Sequence, residues 1–317
     1  MRFIGVTISD LKQGETINGI YILRKKELKE TSNKKPYIDI LFSDNTGEIQ
    51  AKLWEAGEEI YNNLQLNVLY YVNAKVDYFK DMLQLNINKI RIADPEDQKE
   101  IGKFVPSAPI PPEIMLDEIY EYAKSISNTD IRKLVLKLLK DKEEQLLYYP
   151  AAKSLHHSIR SGLLYHILRM LRLSEKLKEV YTEINLDLLY AGVLIHDLAK
   201  IGELESNELG FSEYSKEGQL LGHLIMGICD IEKAGEELGI SSEIILLLKH
   251  MIVSHHYEPE YGSPKKPMFL EAELLHFIDM IDARVYDFQN HLKNIEKGNF
   301  SEPVWSLDRR RLYKPIL

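Results

Sequence analysis

An apolar run that ends in an adjacent imidazole and carboxylate, Leu194-Ile195-His196-Asp197-Leu198-Ala199-Lys200, is where residue type points most directly to chemistry. Neutral imidazole and carboxylate are both good ligands for borderline divalent ions such as Mn, Fe or Zn. Neighbours on a helix point about 100° apart. One ion near the helix end therefore reaches both side chains only if they bend toward it, and the two oxygens of Asp197 allow it to bridge two ions.

The chain has ten histidines and none precedes residue 156. His166 lies on an apolar-periodic segment after His157-Ser158, and His223 follows Gly222, where a missing Cβ permits close backbone approach. His255-His256 ends a run of buried-looking residues. Asp279 sits in Phe277-Ile278-Asp279-Met280-Ile281-Asp282-Ala283-Arg284, and a carboxylate inside an apolar helix is costly unless it is paired or binds a metal. His250, His276 and His291 read as ordinary core or surface residues, and His156 stands between the two readings. Asp282 reads as structural, pairing with Arg284 or a helix neighbour.

Composition changes near residue 95. Before it, short β-rich runs alternate with turns: 16–25, 37–43, 47–54, 68–76 and 82–92, with turn signals at 44–47 and 78–81. A helical piece is expected between the third and fourth runs, over 55–64. That pattern is a five-stranded OB-like barrel, closed so that no edge strand is left exposed. Asp94-Pro95 ends the β region, and Pro106, Pro109, Pro111 and Pro112 form a stiff connector, with Pro111 or Pro112 opening a helix. Apolar residues then recur at helical spacing over 114–126, 131–139, 159–177, 186–198, 219–238, 243–253 and 270–295. The expected organisation is an OB-fold nucleic-acid-binding domain over 1–95, a Pro-containing linker and helical bridge over 96–150, an all-α metal-dependent domain over 151–300 and a C-terminal tail over 301–317. In that tail, Arg309-Arg310-Arg311 reads either as a nucleic-acid contact or as a solvated run.

The 317 residues fit two domains of ordinary size, and 44% hydrophobic with 28% charged residues is normal for a globular protein. A formal net charge of −9 argues against a wholly basic nucleic-acid binder, although a local groove can differ from the total. Cys229 is the only cysteine, which excludes an intramolecular disulfide and a thiolate cluster within one chain. No stretch approaches about 18 uninterrupted apolar residues. The reading therefore expects no signal peptide, no membrane span and a cytoplasmic location. Assembly of identical copies is compatible with the amphipathic helices, but no symmetry can be read.

The order His166, His196-Asp197, His223, His255-His256, Asp279 resembles the HD superfamily of metal-dependent phosphohydrolases over roughly residues 150–295. The resemblance implies one ion on His166, His196, Asp197 and Asp279. It implies a second on Asp197, His223 and His255, with His256 as substitute or helper. A barrel, a helical bridge and an HD domain in that order, with the phrases 189–197, 218–223, 254–256, 262–267 and 278–284, resemble the YhaM-type 3′→5′ exoribonucleases of Gram-positive bacteria. That family implies a divalent-metal nuclease, Mn foremost with Fe, Co, Zn or Mg as alternatives, acting on single-stranded RNA, with DNA as a second candidate substrate. The alternatives are an HD phosphodiesterase for nucleotides or cyclic dinucleotides, and a nucleic-acid-binding regulatory protein with a vestigial site.

Within that frame Lys200, Lys265, Lys266 and Arg284 are candidates for holding substrate phosphate. Lys200 has capping of a helix C-terminus as its ordinary reading. His157 is the candidate to protonate the leaving oxygen. In the barrel Tyr21, Tyr37, Trp54, Tyr78 and Phe79 are candidate stacking faces, although Trp54 suits a core as well. Lys25, Lys26, Lys34, Lys35 and Lys80 offer phosphate attraction.

Overall fold

The first β run is longer than its alternation suggests. In the computed structural model strand β1 covers Thr16–Glu30 and serves two partners: Thr16–Ile22 pairs antiparallel with β4 (Leu69–Phe79), and Ile22–Glu30 with β2 (Pro36–Asp44). Strand β2 turns tightly at Asp44-Asn45-Thr46-Gly47 into β3 (Gly47–Trp54), and Asp44 Oδ1 fixes that turn by accepting from the backbone N–H groups of Thr46 and Gly47. Helix α1 (Glu58–Asn63) leads to β4, which pairs antiparallel with β5 (Met82–Ile92). A short parallel ladder between β3 and β5 closes the barrel in the order β1-β2-β3-β5-β4. Its interior is filled by residues such as Leu23, Ile38, Ile40, Phe42, Val72 and Leu85. The expected five-stranded OB-like barrel with a helix between its third and fourth strands is what forms.

The structure describes residues 5–79, 82–153, 157–293 and 295–317, with the backbone alone at residue 99. Lys80 and His156, both named above, lie outside the described residues. The chain divides into two compact units, Met1–Ser107 and Ala108–Leu317.

The stretch expected as a bridge divides between them. Helix α2 (Pro95–Lys99) belongs to the barrel, where Gln98 closes the end of β4 through the backbone N–H and C=O of Leu69. Helices α3 (Pro112–Ser125) and α4 (Thr129–Asp141) are instead part of the second unit's core. Met115, Ile119, Leu134, Val135 and Leu139 are buried against the later helices, because α3 and α4 each carry a full apolar face that only those helices can cover.

After α5 (Glu143–Leu146) come α6 (Gly162–Val180) and α7 (Leu186–Ile195), the latter capped by the Asn185 side chain accepting from Leu188 N–H. From Leu188 onward α7 is buried at every position, so it forms the hub on which α3, α4, α6, α10 (Ser242–Ser254) and α11 (Leu270–Leu292) pack. A single turn, α8 (Lys200–Glu203), and a small hairpin, β6 (Leu204–Ser206) with β7 (Ser212–Tyr214), lead into α9 (Lys216–Leu238). The hairpin was not legible in the sequence. The expected tail is an ordered hairpin of β8 (Phe300–Val304) and β9 (Arg310–Tyr313), whose Val304, Leu307 and Leu312 bury against Phe288 and Leu292 of α11. Among the described residues no helix is long and apolar enough to cross a membrane.

Candidate metal centre and nucleic-acid face

Five helix segments deliver the chemistry of the second unit. His166 comes from the second turn of α6. His196 and Asp197 come from the end of α7, and His223 from inside α9. His255 and His256 come from the end of α10, and Asp279 from α11. The structure brings them together. Asp197 Oδ1 lies 3.5 Å from His223 Nε2 and 3.8 Å from His255 Nε2. Its Oδ2 lies 3.3 Å from His196 Nε2 and 4.0 Å from His166 Nε2. His166 Nε2 is 3.2 Å from Asp279 Oδ1.

Every one of these imidazoles is oriented through its other nitrogen. Nδ1 of His196, His255 and His256 donates to the carbonyls of Val193, Ile252 and Tyr261, at 2.9, 2.8 and 2.7 Å. Nδ1 of His166 donates to Asp282 at 2.8 Å, and Nδ1 of His223 to Glu203 at 3.0 Å. With Nδ1 engaged in this way, Nε2 is the nitrogen turned toward the common centre, as in a metal-ligating histidine.

The donor set fits a divalent ion. His196 Nε2, His223 Nε2, His255 Nε2 and Asp197 Oδ1 are buried without a hydrogen-bond partner among the described residues. Each such atom left unsatisfied costs about 1–3 kcal/mol, a penalty that metal ligation would remove. Two groupings have ligand atoms within 4.8 Å of one another and share Asp197: Asp197, His223, His255 and His256, and His166, His196 and Asp197. His255 also lies within reach of His196 and Asp279.

Electrostatics agree with this geometry. Burial disfavours charge on His166, yet Asp279 and Asp282 outweigh it and push its pKa up to about 9, so positive charge is welcome there. Burial, with His256 and His196 nearby, holds His255 well below the usual histidine range and leaves it neutral. Burial opposes ionisation of Asp197, but Lys200 and His196 keep its carboxyl far below the ordinary range.

Two carboxylates that stand behind the ligands escaped the sequence reading. Asp282 was expected to pair with Arg284 or a helix neighbour. It instead accepts from His166 Nδ1 and His157 Nε2 through Oδ2 and from Arg169 Nε at 2.6 Å through Oδ1. Glu203 Oε1 accepts from both the ring and the backbone N–H of His223. The recurrence of Asp197, Lys200 and Glu203 at intervals of three was the available signal.

His157 is not placed as a proton donor to substrate. It is fully buried, its Nε2 lies 2.7 Å from Asp282, and its ring stacks on Tyr286 at 3.9 Å between centroids. Burial drives its pKa down to about 4 despite the Asp282 bond, so it serves to anchor Asp282. Arg284 is also outside the cluster. It is exposed, two residues from Asp282 and hence on the far side of α11, and it faces Asp308 at 3.7 Å. Lys200 donates to Asp197 Oδ2 at 2.7 Å. Lys265 and Lys266 are exposed in the loop after His256, with Lys266 over the Tyr257 ring at 4.4 Å and 3.7 Å from Glu258. His276 holds the His255 carbonyl and His250 accepts from Met268 N–H, both ordinary structural roles.

On the barrel, Trp54, Tyr78 and Phe79 are about half exposed. Tyr37 pairs with Trp54 across β2 and β3, their ring centroids 5.0 Å apart. The Lys52 ammonium lies 5.1, 5.4 and 5.2 Å from the rings of Tyr37, Trp54 and Phe79, which makes one cationic, aromatic surface. Lys26 is not on it, since it donates to the carbonyls of Tyr61 and Leu64 at the end of α1. Tyr21 is not on it either. It is fully buried, and its hydroxyl donates to the Val6 carbonyl at 2.7 Å. Tyr21→Phe is therefore expected to lower stability by about 1 kcal/mol, the value of one hydrogen bond, and to leave RNA affinity unchanged. Thermal unfolding and fluorescence anisotropy check the two halves of that expectation.

Residues 163–284 match the family described as the HD domain, and residues 17–93 match the family described as an OB-fold nucleic acid binding domain. Nearly the whole chain is similar to curated proteins named 3′-5′ exoribonuclease YhaM. It is 40% identical over 304 residues to that of Geobacillus sp. (strain WCH70), covering 96% of this chain and 93% of the relative. It is 38% identical over 302 residues to that of Oceanobacillus iheyensis, covering 95% of each. Among solved structures, a domain of replication protein A from Methanococcus maripaludis is 21% identical with a TM-score of 0.25, covering 28% of this chain and 94% of that one.

Proposed function

The chain belongs to the YhaM family of 3′-5′ exoribonucleases, and from that premise we propose that it is a metal-dependent exonuclease that shortens single-stranded RNA from the 3′ end. The observation that carries the reading is the convergence of five Nε2 atoms and two carboxylates, every imidazole oriented by a bond at Nδ1. The reading includes two ions per chain, manganese as the ion, RNA ahead of DNA as substrate, and the cytoplasm as the setting.

When bound, divalent ions supply Lewis acidity, lowering the pKa of an attacking water and neutralising charge on the phosphoryl oxygens. The protein's own groups do the rest. Asp197 is shared by both groups of ligands. Lys200, held on Asp197, keeps that carboxylate oriented and has N–H donors left for a phosphate oxygen. Burial works against charge on Lys200, but Asp197 together with Asp279 and Glu203 outweighs it, so the ammonium stays charged. Lys265 and Lys266 attract the strand's backbone, and Trp54, Tyr37, Tyr78 and Phe79 stack on its bases.

The test is a gel time course on 5′-labelled single-stranded RNA with Mn²⁺ and with EDTA, beside a cyclic dinucleotide and a nucleotide assayed for turnover. A ladder that shortens stepwise from the 3′ end only with the metal is expected. Fast turnover of the small substrates with intact RNA would sink the reading and move the protein to the small-molecule phosphodiesterases.

A further inference from the structure

We propose that Glu203 is a positioning residue that holds His223 for the second of the two ions, while Asp282 does the same for His166 and the first. The inference rests on the two-ion reading above.

The ligand histidines are not held alike. His196, His255 and His256 lean on backbone carbonyls, whereas His166 and His223 alone among the five lean on carboxylates. A carboxylate on Nδ1–H makes Nε2 a stronger donor than a carbonyl does, besides fixing the ring. The two carboxylates act on different sides of Asp197. His166 faces Asp279 and Asp197 Oδ2, and His223 faces Asp197 Oδ1.

Glu203 does more than touch a ring. Gly222 interrupts α9 at φ 71°, ψ 159°, a backbone region open essentially to glycine alone. Its break frees the His223 backbone N–H from the helical ladder. Glu203 Oε1 accepts that N–H at 3.1 Å and the His223 Nδ1–H at 3.0 Å, so a single oxygen sets both the main chain and the imidazole of the ligand.

Glu203 is itself anchored. Its carbonyl accepts from Ser215 N–H at 2.9 Å, and Ser215 Oγ donates to the Gly202 carbonyl and caps α9 by accepting from Gly218 N–H. Gly218 packs so closely that a Cβ there would collide with the Glu203 carbonyl oxygen. Asp197, Lys200 and Glu203 recur at intervals of three, so the segment that carries the shared ligand also carries the group that aims His223. Burial works against ionisation of Glu203, but its bonds to His223 hold the carboxyl below the usual range.

The experiment is a Mn²⁺ titration of the full-length protein, free ion followed by EPR, for wild type, Glu203→Ala, Glu203→Gln and the exposed control Glu205→Ala. Thermal unfolding in EDTA runs in parallel. Wild type and Glu205→Ala are expected to bind two ions. Glu203→Ala is expected to keep the first ion's affinity and to weaken the second by about 10–100-fold. Glu203→Gln, which keeps an acceptor oxygen without the charge, is expected between the two, with metal-free unfolding little changed. An unchanged second ion in both Glu203 variants overturns the inference and spares the two-ion reading. Equal weakening of both ions with a lower metal-free unfolding temperature also overturns it, as a structural effect. A single ion in the wild type overturns both.

Discussion

Asp197→Asn is expected to strip the purified chain of bound metal and to slow cleavage of single-stranded RNA on the order of 10³-fold or more. Asp197 alone faces every ligand histidine but His256 at the distances given above, with one oxygen toward His223 and His255 and the other toward His196 and His166. Removing its charge therefore weakens both ion positions together. Asparagine keeps an oxygen for the Lys200 ammonium, which is nearly as buried as Asp197 itself. Asp197→Ala leaves that ammonium without its partner and is expected to lower stability as well, by roughly 3–5 kcal/mol, as removal of one member of a buried pair does. Metal content by mass spectrometry and the RNA time course, run on Asp197→Asn, separate loss of the site from loss of the fold. Metal-dependent cleavage near the wild-type rate would show that the cluster is not the active site.

Residues that act through their nearest chain neighbours were legible in the sequence. Helix α7 announces itself as a continuous apolar segment, and His196-Asp197 stands where it ends. The barrel's strands and turns follow from alternation and turn chemistry. Groups whose meaning is supplied from far along the chain were not legible. Asp282 gains its role from His157, 125 positions away, and from His166, 116 away. Glu203, in an exposed-looking sequence, gains its role from a histidine 20 positions later and from a glycine break that the apolar spacing of α9 reads straight through. Tyr21 misled for a related reason. It lies on the face of β1 that carries Ile17 and Leu23 into the barrel interior, with its hydroxyl met by the Val6 carbonyl, so a ring whose type suits stacking on a base serves the core instead. The C-terminal hairpin rests on three apolar side chains too widely spaced to form a pattern, so its arginines dominated the reading.

Replacing Trp54 and Phe79 together with alanine is expected to weaken binding of a long single-stranded RNA by about 10²–10⁴-fold, on the basis of roughly 1–3 kcal/mol for each stacked base. Both rings are about half exposed, so truncating them removes little core. The loss of the Tyr37–Trp54 cross-strand pair costs about 0.2–1 kcal/mol, too little to unfold the barrel. Lys52 sits among three of these rings, where a strand stacked on them would bring a phosphate within its reach. Lys52→Ala is expected to lower the dependence of log affinity on log salt by about 0.7, the contribution of one phosphate contact on a single strand. The metal cluster lies wholly in the other unit, so hydrolysis of a small phosphodiester such as bis(p-nitrophenyl) phosphate should continue at its wild-type rate in the double variant. Anisotropy on a labelled strand and absorbance of released nitrophenolate give the two readings. Unchanged strand affinity would remove this aromatic surface from substrate binding. Equal loss of both activities would mean that the barrel supports the catalytic unit instead of capturing its substrate.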